Sequence, residues 1–252
     1  MAYFSHSSTA KRYAEARPYF HPLVMDRIAK FWPGQVPFAQ ALDVGCGTGM
    51  SCEALLIIAG KVVGTDISAE MLAEGRQHPD IRYVQAPAEA LPFENESFDL
   101  ITASMAFHWF DRAAFLYEAR RLLKPGGKVV VYGHGFSGEM HKSPAFKEWH
   151  DHVYLKRYPA PPRIPYDKPL PQGSGFSEVK TERFRQLLRL SAHDITAYLL
   201  TQSNVIAKVE MGDETLEDVD WWIYESVQPY FSEESAKFQF SAHIRYLEPQ
   251  SG

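Results

Sequence analysis

The chain has 252 residues, 45% hydrophobic and 23% charged, with 16 Gly and 17 Pro. This balance excludes a disordered, collagen-like or low-complexity chain and supplies apolar material for one large core, or for one domain carrying a subdomain. Lys and Arg total 26 against 31 Asp and Glu, a net charge of -5, so the chain has no general attraction for a polyanion and nucleic acid is not an expected partner.

The first residues, MAYFSHSSTAKRYAEARP, contain no apolar stretch of signal-peptide length, and the longest apolar run, Leu55 to Gly60, is too short to span a bilayer. The expectation is a cytoplasmic protein with no membrane partner. Cys46 and Cys52 could close only a tiny loop and read as reduced thiols. His150 and His152 would point to different faces of a helix, and no third ligand stands at suitable spacing, so no metal is expected.

From Phe38 to Gly135 short β-branched runs alternate with helical stretches, the pattern of a parallel sheet flanked by helices. Strands are expected at Ala39 to Val44, Lys61 to Thr65, Ile81 to Gln85, Phe98 to Ala103 and Lys128 to Tyr132, several of them continuously apolar as buried parallel strands are. Helices are expected at Gly49 to Ala59, Ser68 to Gln77 and Asp111 to Leu123, with Ser68 and Asp111 as N-caps. Lys124-Pro125-Gly126-Gly127 should stop the third helix. Met140 to Arg157 reads as helical and aromatic, and Tyr158 to Gly175 is a proline-rich connection read as a substrate-facing cap. Val179 to Leu190 and Phe238 to Leu247 alternate as strands, and Ala192 to Gln202 and Leu216 to Pro229 read as helices. The acids from Glu210 to Asp220 suit a solvated helix start. The expected organisation is an N-terminal helix plus core over residues 1–135, a cap or lid over 136–176, and the rest of the same sheet over 177–252.

The strongest signal is Leu42-Asp43-Val44-Gly45-Cys46-Gly47-Thr48-Gly49, where the first strand should meet the first helix. Glycines there allow a tight turn and let a ligand lie on bare backbone near a helix N-terminus. Asp66 follows Gly45 by 21 residues at the end of the second strand, where a carboxylate can accept from two ribose hydroxyls. A dinucleotide fold uses both devices. Its GxGxxG pattern, however, needs a glycine where Met50 stands, and Asp43 before the loop suits a cationic amino-acid head better than a pyrophosphate.

At this point the sequence resembles the class I S-adenosylmethionine-dependent methyltransferases, type 11 small-molecule group. The matching pieces are YAEARP (Tyr13 to Pro18), LDVGCGTG (Leu42 to Gly49), VVGTDIS (Val62 to Ser68), APAEALPFENESFDLI (Ala86 to Ile101), FHWFD (Phe107 to Asp111) and LKPGGKVVV (Leu123 to Val131). FHWFD is similar to the trans-aconitate methyltransferase-like subgroup. The resemblance implies an α/β, doubly wound, mostly parallel seven-stranded Rossmann-like sheet with an antiparallel last strand and a small cap insertion. It also implies S-adenosyl-L-methionine as cofactor.

The implied cofactor residues are Gly45, Cys46 and Gly47 against the methionine part, Asp43 toward its ammonium through water, and Tyr13 and Arg17 from an N-terminal helix, Arg17 facing the carboxylate. Asp66 would hold the ribose, Ile67 and Met71 the adenine face, and Ser104 would stand at the end of the fourth strand. Pro87 stands where many members carry Asp, so adenine recognition would rest on Ala88 and Glu89. Ligands of open α/β sheets lie at the carboxyl ends of the strands, which makes His108 and His134 the nearest bases to the acceptor. A carboxylate acceptor, already ionised, would need no base. Lys156, Arg157, Arg163, Arg183 and Arg185 are cations that could pair with such an acceptor.

The expected function is methyl transfer to a small molecule, a carboxylate or oxygen nucleophile, by a monomer or homodimer. An NAD-dependent oxidoreductase and a non-catalytic S-adenosylmethionine-binding protein are the alternatives.

Overall fold

Residues 38 to 44 alternate little and are mostly buried, as a strand covered on both faces requires, and they form β1 (Phe38–Val44) at the middle of the sheet. The computed structural model describes residues 7–162 and 164–250. In chain order follow α1 (Ser7–Ala16), α2 (His21–Phe31), β1, α3 (Met50–Leu55), β2 (Ala59–Asp66), α4 (Ala69–Ala73), β3 (Ile81–Gln85), β4 (Phe98–Ser104), α5 (Arg112–Leu122) and β5 (Leu123–Met140). Then come α6 (Pro144–Trp149), a π-helical turn (His150–Tyr154), α7 (Leu155–Arg157), β6 (Phe176–Ser191), α8 (Ala192–Leu200), α9 (Ser203–Glu210), α10 (Leu216–Val227) and β7 (Ser235–Pro249).

The sheet is seven-stranded with order β3-β2-β1-β4-β5-β7-β6. The pairings β1–β2, β1–β4, β2–β3 and β4–β5 are parallel, and the β7–β6 end is antiparallel. The order reverses beside β1, whose two parallel partners are β2 and β4, so the loop after β1 sits at the switch point where such sheets take ligands. At the outer edge β6 alternates half-buried and exposed residues and carries Lys180, Arg183, Arg185 and Arg189, charges that discourage pairing with another chain.

Two compact units divide the described residues: one comprises 19–133, 164–183 and 243–250, the other 7–18, 134–162 and 184–242. The first has a core of Leu42, Val44, Ile101, Val129 and Val131 from the sheet against Phe107, Phe115, Leu116, Ala119 and Leu122. Asp111 caps α5 by accepting from Ala113 N (3.0 Å) and Ala114 N (3.1 Å), as its sequence position promises, which stabilises the helix by about 1 kcal/mol. The second unit packs Phe146, Trp149, Tyr154 and Tyr158 with Ile195, Tyr198, Val219, Ile223, Phe238 and Phe240.

Helices fall short of their expected lengths where the chain turns early into strands. The α3 helix stops at Leu55, because β2 begins at Ala59 with Phe38 paired to it. The α4 helix stops at Ala73, where Gly75 N turns back to Leu72 O. Lys124-Pro125-Gly126-Gly127 ends α5 as expected but is itself the start of β5. The stretch read as one helix from Met140 starts only at Pro144 and contains the π-helical turn. Among the described residues of Tyr158 to Gly175 there is no helix or strand.

Candidate functional site

The chain leaves β1 through a loop in which Gly45, Gly47 and Gly49 all take positive φ (69°, 55° and 74°), a region that side chains disfavour. At Gly45 a Cβ would come within 2.5 Å of Ala106 Cβ, and at Gly49 within 2.0 Å of Tyr83 Oη, so these two glycines are demanded by the protein's own packing. Gly47 differs. A Cβ there would approach only the tip of Met71, at 3.0 Å, so its neighbouring space is not filled by framework. Beside it the Thr48 hydroxyl is buried with no hydrogen-bond partner. Bare backbone with space beside it, next to an orphaned hydroxyl, fits a ligand lying on this loop.

Asp66, the last residue of β2, faces that loop. Its Oδ2 accepts from Gly47 N at 2.8 Å and its Oδ1 from Ser68 N at 3.0 Å. Burial raises its carboxyl above the usual range, and backbone N–H groups of Ser68, Gly47 and Ile67 oppose that rise. The neighbouring Ile67 is 70% exposed, an apolar surface free to be covered, while Met71 is buried on α4, whose cap is Ser68. Ala88 is buried, and Glu89 Oε1 accepts from Asp111 N at 2.9 Å, which ties the segment after β3 to the start of α5.

Asp43 is 0% exposed. Its carboxylate accepts from the hydroxyls of Ser51 and Thr102 (2.6 Å to the latter) and from the Cys52 thiol at 3.6 Å. It therefore braces β1, α3 and β4 from beneath the loop. Burial pushes its carboxyl up to about 6, less than it would without those three donors. Cys46 and Cys52 are free, buried thiols that both pack against the space left by Gly64.

At the carboxyl end of β4, and beside it in the middle of β5, a second group of residues gathers in the same unit. Ser104 pairs in register with Tyr132 and is buried, and Tyr132 Oη lies 3.1 Å from His21 Nδ1. Met105, the first residue past β4, holds φ 55° without being glycine, a costly conformation of the kind found where a loop is forced into place. Beyond it His108 is 6% exposed, its Nδ1 lying 2.8 Å from the hydroxyl of Tyr166. The Tyr166 ring lies 4.2 Å, centroid to centroid, from that of His243 on β7.

Tyr13, Arg17 and His134 belong to the other unit. The Arg17 guanidinium lies over the rings of Tyr13 (4.6 Å) and Tyr198 (5.2 Å) and donates to Thr201 O at 2.7 Å. His134 is buried and stacked flat on Phe240 (4.9 Å, 3°), and burial, with Arg17 nearby, lowers its pKa to about 4. Of the cations proposed for an acceptor carboxylate, Arg157 is bound to Glu214, Arg183 stands exposed 4.0 Å from Asp167, Lys156 and Arg185 are exposed, and Arg163 lies outside the described residues.

The structure thus brings Asp43, Gly45, Cys46, Gly47, Asp66, Ile67, Met71, Ala88, Glu89, Ser104 and His108 into one unit. Sequence reasoning missed Tyr166, His243 and Tyr132. Tyr132 closes the stretch read as the fifth strand and could have been found there; the other two have no local motif, and only the fold carries Tyr166 to His108 and His243 to Tyr166. Among the described residues no group of three or more His, Cys, Asp or Glu could hold a metal ion, and no helix is long and apolar enough to cross a membrane.

Residues 42–131 match the family model described as a methyltransferase domain. A demethylmenaquinone methyltransferase of Renibacterium salmoninarum is 40% identical over 111 residues, 43% of this chain and 45% of its own length. A malonyl-[acyl-carrier protein] O-methyltransferase of Enterobacter lignolyticus is 35% identical over 130 residues, 49% of this chain and 52% of its own. The chain thus spans about half the length of the curated relatives it matches. A solved structure from Anaeromyxobacter dehalogenans, described as a type II methyltransferase, superposes with a TM-score of 0.70 at 23% identity, over 88% of this chain and 95% of the other.

Proposed function

We propose that the chain, whose residues 42–131 match a methyltransferase-domain model, is a class I methyltransferase that binds S-adenosylmethionine at the β1 loop and passes its methyl group to a small-molecule acceptor. The observation that carries this reading is the bond from Gly47 N to Asp66 Oδ2, which sets a bare glycine backbone and a carboxylate side by side next to the exposed Ile67. The carboxylate accepts from the backbone N–H groups of Gly47, Ser68 and Ile67 and keeps acceptor capacity for a ribose hydroxyl. When bound, the cofactor supplies a methyl already activated on a sulfonium.

What remains for the protein is alignment, exclusion of water and proton handling. Gly45, Cys46 and Gly47 would offer backbone to the methionine part, Asp66 would fix the ribose, Ile67 and Met71 would cover the adenine, and Ala88 and Glu89 would read its edge. Asp43, walled in by Ser51, Thr102 and Cys52, acts by shaping the loop. His108, at the carboxyl end of β4, is the base on the acceptor side, and the acceptor is a carboxylate or oxygen nucleophile of metabolite size. A cytoplasmic location agrees with the free thiols of Cys46 and Cys52.

Calorimetric titration with S-adenosylmethionine, S-adenosylhomocysteine and NAD tests the reading. Binding of the first two and not of NAD is expected. Binding of NAD alone would replace it with an oxidoreductase, and cofactor binding without methyl transfer to any small molecule would replace it with a non-catalytic binding protein.

A further inference from the structure

His108 is buried, and the group that covers its Nδ1 is a phenol. Tyr166, half-buried in the proline-rich segment, places its hydroxyl 2.8 Å from that nitrogen, with ring centroids 5.0 Å apart. Its seat is built from two sides. Gly133 on β5 leaves the room, since a Cβ there would come within 2.5 Å of His243 Cε1 and 3.2 Å of Tyr166 Cζ. Two buried arginines fix the main chain around it: Arg112 Nη2 donates to Ile164 O (3.2 Å) and Pro165 O (2.8 Å), and Arg245 Nη1 to Tyr166 O (2.9 Å) and Lys168 O (3.2 Å). Gripping four carbonyls fixes the backbone that carries Tyr166.

We propose that Tyr166 is the residue that meets the methyl acceptor, that His108 acts through it, and that the acceptor is a hydroxyl compound whose nucleophilic oxygen still carries its proton. The inference rests on the methyltransferase reading above and deepens it. The Tyr166 ring is flanked by the imidazoles of His108 and His243. His243 stays uncharged because burial, with Arg183 and Arg245 opposing Asp167, lowers its pKa to about 4. Arg245 is bound to Glu178 and to carbonyls, while Arg112 lies over the Phe107 ring at 4.5 Å and holds the segment through Nη2, its buried Nε and Nη1 having no hydrogen-bond partner. An ionised carboxylate would need no proton acceptor, whereas a hydroxyl needs the phenol–imidazole pair.

The step balances. The acceptor oxygen forms its bond to the methyl carbon as the carbon–sulfur bond breaks, and that electron pair stays on sulfur. The acceptor's O–H proton passes to Tyr166 Oη while the Tyr166 proton passes to His108 Nδ1, and the imidazolium then releases it to water. His108 is a positioning and proton-storing residue in this scheme, and Tyr166 the one in contact.

The test uses the full chain with methyl-labelled S-adenosylmethionine and a panel of phenols, catechols and aliphatic alcohols beside mono- and dicarboxylates. Label should enter hydroxyl compounds. Tyr166→Phe, which keeps the ring against His243, should lower kcat by about 10²- to 10⁴-fold with little change in KM. It should also abolish the acid limb of the pH profile and leave S-adenosylhomocysteine affinity and circular dichroism unchanged. Nitrogen-15 shifts should show His108 Nδ1 unprotonated in the wild type and altered in Tyr166→Phe.

Label confined to carboxylates or absent from every hydroxyl compound, a wild-type kcat and pH profile in Tyr166→Phe, or a protonated Nδ1 would each overturn the inference. Failure of the wild type to bind S-adenosylhomocysteine would instead overturn the methyltransferase reading and this inference with it.

Discussion

Gly47 donates its backbone N–H to Asp66 Oδ2 at 2.8 Å, so the carboxylate that ends β2 also fastens the loop that ends β1. One side chain thereby shapes the loop and stands ready for a ligand. Replacing Asp66 by Ala removes both roles. Losing a buried, charge-assisted contact should weaken S-adenosylhomocysteine binding by about ten- to a hundredfold, roughly 1.5 to 3 kcal/mol. Calorimetry is the measurement, and an unchanged affinity would leave Asp66 only its loop contact.

Gly47→Val should abolish cofactor binding and leave the fold largely intact. The position lies at φ 55°, where a β-branched residue is strained, and yet the only neighbour a Cβ would press is the flexible end of Met71. The same change at Gly45 or Gly49 would strike Ala106 or Tyr83 and should unfold the loop itself. Comparison of circular dichroism and binding among the three variants separates the ligand-facing glycine from the packing glycines. A Gly47→Val protein that is folded and binds normally would reduce the loop to a turn.

The parts legible in the sequence are those whose reasons are local. Ile81–Gln85 is the strand that Ile-Arg-Tyr-Val-Gln announces, and Asp111 caps α5 because an acid precedes an amphipathic stretch. The Gly45 to Gly49 loop and Asp66 were readable because spacing along a βα unit fixes their meeting in space. Asp43 was harder: sequence placed it toward the ligand, and only burial shows Ser51, Cys52 and Thr102 converging on its carboxylate. Tyr166 and His243 could not be read at all, since they come 58 and 135 residues after His108, and Tyr166 meets both histidines only through tertiary packing of an irregular segment and the last strand.

Buried titrating groups should make stability respond to pH in opposite directions. Asp43 has its carboxyl raised from 3.8 to about 6, so the folded protein binds its proton first and this group lowers stability as pH rises between about 4 and 6, by at most about 3 kcal/mol. His243 and His134 run the other way. Their pKa values fall from 6.5 to about 4, so the unfolded chain takes up protons first and their contribution is lost as pH drops through that window. Denaturant unfolding at pH 4, 5, 6 and 7 should show a steeper gain of stability with pH in Asp43→Asn and a shallower one in His243→Phe, relative to the parent. Identical slopes in all three would mean that these groups titrate alike in the folded and unfolded chain.

Arg245 holds the segment that carries Tyr166 by dividing its guanidinium, with Nε and Nη2 on Glu178 and Nη1 on the carbonyls of Tyr166 and Lys168. Lysine keeps the charge and has a single donor centre, so Arg245→Lys can satisfy Glu178 or the carbonyls but cannot span both. The salt bridge retains the more strongly attracting partner, and the carbonyls are released to water. Exchange of the Lys168 amide, now bonded to Pro165 O at 3.2 Å, should then accelerate, together with its neighbours, while amides of β1, β2 and β4 keep their protection. If the segment closes over a bound acceptor, wild-type exchange over residues 164–175 should slow further with cofactor and acceptor together. In Arg245→Lys that slowing should be recovered only in part. Equal exchange in the two proteins, with and without ligands, would make the segment a static connection whose position does not depend on Arg245.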